Sequence, residues 1–110
     1  MAFDAALAAR IRKQLGKRAG LVEKQMFGGL AFLLNGNMCV GVHGDEMIVR
    51  VDPEQTDKLL RERHVRLFDL TGRPMKGWLL VGAKGLATAP GVGKWVKAGL
   101  AYAGSLPKKR

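Results

Sequence analysis

Apolar and polar positions alternate through residues 26–51, MFGGLAFLLNGNMCVGVHGDEMIVRV, and repeat at helical spacing on either side. The alternation predicts three short strands joined by two tight turns. Asn35-Gly36 suits the positive φ angles of a two-residue hairpin turn, and Gly44-Asp45 offers a second. Those turns make Leu34 face Asn37, Leu33 face Met38, Val42 face Met47 and His43 face Glu46. Strict alternation then gathers Phe27, Ala31, Leu33, Met38, Val40, Val42, Met47, Val49 and Val51 on one apolar face, the expected core. Leu30, Phe32, Leu34, Cys39, Gly41, His43, Glu46, Ile48 and Arg50 fall on the opposite, mixed face. That face holds too much Leu, Phe and Ile to be left in water, so helices or another subunit are expected over it. Leu30, Phe32, Cys39, His43, Ile48 and Arg50 become candidates for an interface or a ligand face.

The flanking segments read as helices and two further strands. Residues 3–15 place Phe3, Leu7, Ala8, Ile11 and Leu15 at helical spacing, with Gly16 or Gly20 as the stop. Arg10, Lys13 and Lys17 share the far side of that helix. Asp52-Pro53-Glu54-Gln55 is a strong second start, with Asp as cap and Pro in the first position, and the helix is expected to reach about residue 63. Residues 65–70 and 76–81 read as strands around a turn at 71–75, and residues 92–106 as the closing helix. On that helix Val92, Trp95, Val96, Gly99, Ala103 and Leu106 share one side. Gly99 costs about 1 kcal/mol of helix propensity against Ala, which close approach to the sheet would offset. The order is α-β-β-β-α-β-β-α: an α+β fold, an antiparallel sheet packed by helices, forming a single domain over residues 1–107 with a basic tail at 108–110.

Composition bounds the function classes. A chain of 110 residues can bury one core without staples. No apolar run approaches the ~18 residues that cross a bilayer, so no membrane role is expected. A single cysteine excludes an intrachain disulfide and points to a cytoplasmic setting. Charge is the stronger signal: 19 Lys and Arg stand against 9 Asp and Glu, a net charge of +10. All the acids lie at or before Asp69, while Arg73, Lys76, Lys84, Lys94, Lys97, Lys108, Lys109 and Arg110 follow without one. A field of that sign attracts polyanions, nucleic acid first among them.

Motifs for catalysis or metal binding fail when tested. Gly91-Val92-Gly93-Lys94 echoes a phosphate-binding loop, but Thr88 stands where its first Gly belongs and Trp95 where Ser or Thr would hold Mg²⁺. Cys39 and His43 lie four residues apart on one strand, roughly 13 Å, too far for a nucleophile and its base. Two His and one Cys are too few for a structural zinc site. No catalytic residue, cofactor or metal is therefore expected. In Arg73-Pro74-Met75-Lys76-Gly77-Trp78, Pro and Gly shape a turn, and Arg73, Met75 and Lys76 offer a basic lip to an acidic partner.

Three strings taken in order carry a family resemblance: Met26-Phe27-Gly28-Gly29-Leu30-Ala31-Phe32 with its Asn35-Gly36 hairpin, Ile48-Val49-Arg50-Val51, and Thr71-Gly72-Arg73-Pro74-Met75-Lys76-Gly77-Trp78. With Trp95 and the Ser105-Leu106-Pro107 ending, the chain resembles the TfoX/Sxy N-terminal domain family over residues 5–107. The resemblance implies an α+β fold similar to secretion-chaperone-like domains. Longer members resemble regulators of competence for DNA uptake, with a second domain following, so this chain is expected to be a stand-alone member. The family has no catalytic residues to carry over.

Three functions follow as expectations. The first is a non-enzymatic regulatory or interaction domain acting through a protein partner or self-association. The second is direct nucleic-acid binding through Arg10, Lys13 and Lys17 or through the acid-free C-terminal third. The third is a small-molecule or enzymatic site around Cys39, His43 and Arg50.

Overall fold

In the computed structural model, residues 3–26, 28–69 and 76–108 are described. The carboxylate of Asp4 accepts the backbone N–H of Ala6 at 2.8 Å and of Leu7 at 3.1 Å, capping helix α1, Ala5–Leu15. Leu7, Ala8, Ile11 and Leu15 form its buried stripe, and Gly16 (φ 63°) ends it. Strands β1 (Leu21–Met26), β2 (Gly29–Leu34), β3 (Asn37–His43) and β4 (Glu46–Arg50) follow. Pro53–Gln55 forms a 3₁₀ turn that runs into the single-turn helix α2, Thr56–Leu59. Strands β5 (Val65–Leu67) and β6 (Trp78–Val81), a 3₁₀ turn at Ala83–Leu86 and the long helix α3, Ala89–Ser105, complete the chain.

Among the described residues, six strands pair antiparallel in the order β1-β2-β3-β4-β6-β5. The α+β class is therefore the expected one, with one strand more than the hydrophobic pattern predicts. That strand, β1, is mostly exposed, so it lacks the alternation that reveals a half-buried strand. Helix α2 stops at Leu59 rather than near residue 63, because the chain unwinds through tighter turns to His64 (φ 66°) and reverses into β5.

Both hairpin registers are as the turns require. Leu34 pairs with Asn37 and Leu33 with Met38, around Asn35 (φ 53°) and Gly36 (φ 84°); Val42 pairs with Met47 and His43 with Glu46. Between them lies a β-bulge that alternation alone does not see: Phe32 pairs with Val40 while the next residue, Leu33, pairs with Met38. Cys39 is the extra residue, and one inserted residue exchanges the two faces on either side of it. The expected face sets are corrected accordingly. Leu30, Phe32 and Cys39 join Val40, Val42, Met47, Val49 and Val51 in the main core beneath α1 and α3. Ala31 and Met38 lie instead with Ile48, Phe68 and Leu80 in a smaller cluster, against which Met26, Leu33 and Trp78 pack. Phe27 is outside the described residues.

Helix α3 is held close to the sheet at this bulge. Val92, Gly93, Trp95, Val96, Gly99 and Ala103 are its buried residues, and a Cβ at position 99 would lie 2.4 Å from the Cys39 carbonyl oxygen. Close approach is thus what Gly99 provides. Beyond the helix, the buried Asn37 side chain donates to the Pro107 carbonyl at 2.9 Å and ties the chain end to the β2–β3 turn.

Candidate functional site: a basic cleft beside the edge strand

Strand β1 is an edge of the sheet, and the last turn of α1 passes close to it. Between them lies a cleft of about 640 Å³. Its floor is apolar: Leu15 and Phe32 are buried and Leu21 is half-buried. Arg12, Lys13, Lys17 and Arg18 line it, with Glu23 the single acid. Arg12 grips Glu23 through two hydrogen bonds of 2.7 and 2.8 Å, which hold the Glu23 carboxyl below its usual pKa. The other three cations have no such acid among the residues lining the cleft. Val22 on the rim is 56% exposed, the one large hydrophobic residue among those described to lie open to solvent.

Local sequence explains the arrangement. Gly16 stops α1 one residue after Leu15, so Lys17 and Arg18 leave the helix and turn along the cleft wall. The Arg18 guanidinium reaches back to the Leu15 carbonyl at 2.8 Å, and Gly20 (φ 83°) turns the chain into β1. Of the basic trio expected on one helix side, Lys13 and Lys17 come together here. Arg10 does not: its guanidinium donates to the Leu86 carbonyl at 2.6 Å on another side of α1. Arg12 and Arg18, unforeseen, take its place. The adjacent Lys17-Arg18 pair directly after a helix-stopping glycine is the signal that would have found them.

The other candidate residues are dispersed. Leu30, Phe32, Cys39 and Ile48 are at most 6% exposed, which removes them from any open patch in the isolated chain. Cys39 lies within the main core with its thiol 3.2 Å from the Phe32 carbonyl, and burial pushes its pKa up, away from a reactive thiolate. His43 meets the edge of the Phe68 ring at 6.2 Å between centroids, on the far side of the bulge from the thiol. Arg50 stands apart from both, its guanidinium 5.0 Å from the Trp78 ring centroid and 5.5 Å from that of Tyr102. Lys76 is exposed; Arg73 and Met75 are outside the described residues.

Among the described residues, the basic side chains of the acid-free third do not line the cleft. Lys94 pairs with Glu62 and, with Lys97, borders a separate depression beside Gln14 and Pro90. Lys84 lines another with His64 and Arg66. Gly91 and Gly93, the glycines of the phosphate-loop echo, are inside α3, where Thr88 acts as cap and its hydroxyl accepts the Gly91 N–H at 3.1 Å. Among the described residues, no group of three His, Cys, Asp or Glu could hold a metal ion, and no helix is long and apolar enough to cross a membrane.

Comparison with curated proteins and with solved structures finds no match for the chain. A family model does match, over residues 13–103, which span α1 from Lys13 through all six strands and nearly all of α3; the chain belongs to the TfoX N-terminal domain family.

Proposed function

We propose that this domain is a non-enzymatic regulatory module that docks an anionic macromolecular partner in the cleft between α1 and β1. Membership of the TfoX N-terminal family supports reading it as a competence-regulator-like domain. One observation carries the docking reading: Lys13, Lys17 and Arg18, with Arg12, stand over an apolar floor whose lining holds one acid, already paired. Such a site offers charge for steering and apolar surface for contact, without the nucleophile, base and orienting group that catalysis needs. The partner on this reading is a protein, met in the cytoplasm, where a lone cysteine such as Cys39 stays reduced.

Direct nucleic-acid binding is the second reading, favoured by the net charge of +10. Fluorescence anisotropy with labelled DNA, RNA and an acidic polypeptide, each titrated at several salt concentrations, tests both. The expected result is polyanion binding that Lys13→Glu/Lys17→Glu/Arg18→Glu removes and that Lys84→Glu/Lys97→Glu leaves largely intact. Equal sensitivity to both variants would make the charge a diffuse solvation feature and sink the cleft as a site.

A further inference from the structure

The wall of the cleft is an open strand edge whose backbone register is determined. Among the described residues β1 pairs with β2 alone. The Asn35 N–H donates to the Gly20 carbonyl at 2.9 Å, and bonded pairs alternate along an antiparallel ladder. Alternation therefore turns the Leu33 and Ala31 backbone toward Val22 and Lys24, and leaves the N–H and C=O of Glu23 and Gln25 facing outward. The outward N–H of Leu21 is used locally, donating to the Arg18 carbonyl at 3.3 Å. Among the described residues no other strand uses these groups, so Glu23 and Gln25 present donors and acceptors in strand geometry.

We infer that β1 accepts an extended acidic segment of a protein partner as a seventh strand, its backbone bonded to Glu23 and Gln25 and its carboxylates against Lys13, Lys17 and Arg18. The inference rests on the anion-docking reading of the cleft and names how the cleft is filled. Strand addition supplies affinity from main-chain bonds and specificity from alternate side chains. Here the alternation is legible in β1 itself. Leu21, Glu23 and Gln25 share the side that faces α1, and Val22 and Lys24 share the other, opposite Leu33 and Ala31. An added strand would accordingly carry acids on the α1 side and apolar residues between them, beside Val22.

Charge complementarity selects this occupant over others. A second copy of the chain would bring a second charge of +10 to the same edge. Nucleic acid would satisfy the cations, but its phosphates cannot reproduce the alternating donors and acceptors, nor use Val22. The opposite edge, β5, is three residues long, and its Arg66 is engaged by Glu46, so it offers no comparable template.

The test uses a fluorescent, end-blocked peptide of alternating Glu and Val, about eight residues long to span β1. It is compared with versions N-methylated on one or the other set of alternate amides, and with labelled DNA, near physiological salt. Expected are binding of the parent peptide, a loss of at least about tenfold from methylation of one set and little from the other, and slowed exchange of the Glu23 and Gln25 amides. Gln25→Pro, which deletes one outward N–H and no bond to β2, should weaken binding to a similar extent. Peptide binding indifferent to methylation would overturn strand addition while leaving the cleft an anion site. Binding of DNA but not the peptide would overturn it in favour of nucleic acid. Binding of neither would overturn this inference and the proposed function together.

Discussion

Gly99 of α3 lies directly against the backbone carbonyl of Cys39 in β3. The α3 backbone passes so near the bulge that a Cβ at 99 would stand 2.4 Å from the Cys39 carbonyl and 2.6 Å from a Val40 methyl. Gly99→Ala gains about 1 kcal/mol of helix propensity. The contact is with strand backbone that cannot swing away, so overpacking of about 1–3 kcal/mol wins. Urea denaturation is expected to show net destabilisation. Gly104→Ala, five residues along the same helix, meets only a Leu34 methyl at 3.8 Å and should stabilise. If both variants stabilise, the close approach is wrong.

A second prediction concerns Thr56, which is 1% exposed and is the start of α2. Its hydroxyl accepts the Gly77 N–H at 2.8 Å, fastening the entry of β6 to a helix 21 residues earlier. Thr56→Ala leaves that buried N–H unpaired, at a cost of about 1–3 kcal/mol. Thr56→Ser keeps the bond and loses a methyl, so it should retain more of the stability than Ala does. A Ser variant as unstable as the Ala variant would assign the effect to packing.

How much of this was legible in the sequence divides at the bulge. Turn chemistry made the registers readable: positive φ at Asn35 and Gly36 forces Leu34 onto Asn37, and Gly44 aligns Val42 with Met47. The faces were not readable, because a bulge at Cys39 leaves no mark in the hydrophobic pattern. Both Met38 and Val40 are apolar, and both are buried, only on opposite faces. Strand β1 escaped for a related reason. Its sequence LVEKQM lies mostly in water on both sides, so no alternation betrays it. With β1 hidden, the cleft it forms with α1 was hidden too, and the basic residues could be grouped only by helix geometry. That grouping put Arg10 with Lys13 and Lys17, whereas in the structure Arg10 turns to the Leu86 carbonyl and Arg12 and Arg18 line the cleft with the two lysines.

Burial of Cys39 makes a kinetic prediction. The thiol is fully enclosed and its pKa is raised by desolvation. Labelling by a disulfide reagent in native buffer should therefore follow the rate of structural opening, and be much slower than for the unfolded chain. A raised thiol pKa also means that the unfolded thiol ionises first as pH climbs. The contribution is whole below the ordinary thiol range and declines above it. Cys39→Ala should flatten that alkaline decline. Rapid native labelling would contradict the placement of the residue.

Arg12 and Glu23 allow stability and binding to be separated at one site. Hydrogen bonding to Arg12 depresses the Glu23 pKa, so the pair stabilises fully above the ordinary carboxylate range and is lost as pH falls through the lowered value. The side chains are 48% and 39% exposed, which limits the contribution to about 0–1 kcal/mol. Glu23→Gln and Arg12→Ala should each cost that little and should each reduce the acid dependence of stability. Their effects on polyanion binding should differ in sign. Glu23→Gln frees Arg12 and deletes the acid lining the cleft, raising affinity by up to about fivefold, whereas Arg12→Ala removes a cation and lowers it. Parallel denaturation and anisotropy titrations on the two variants check the expectation. Binding changes of the same sign in both would mean that the pair acts on the ligand through structure rather than charge.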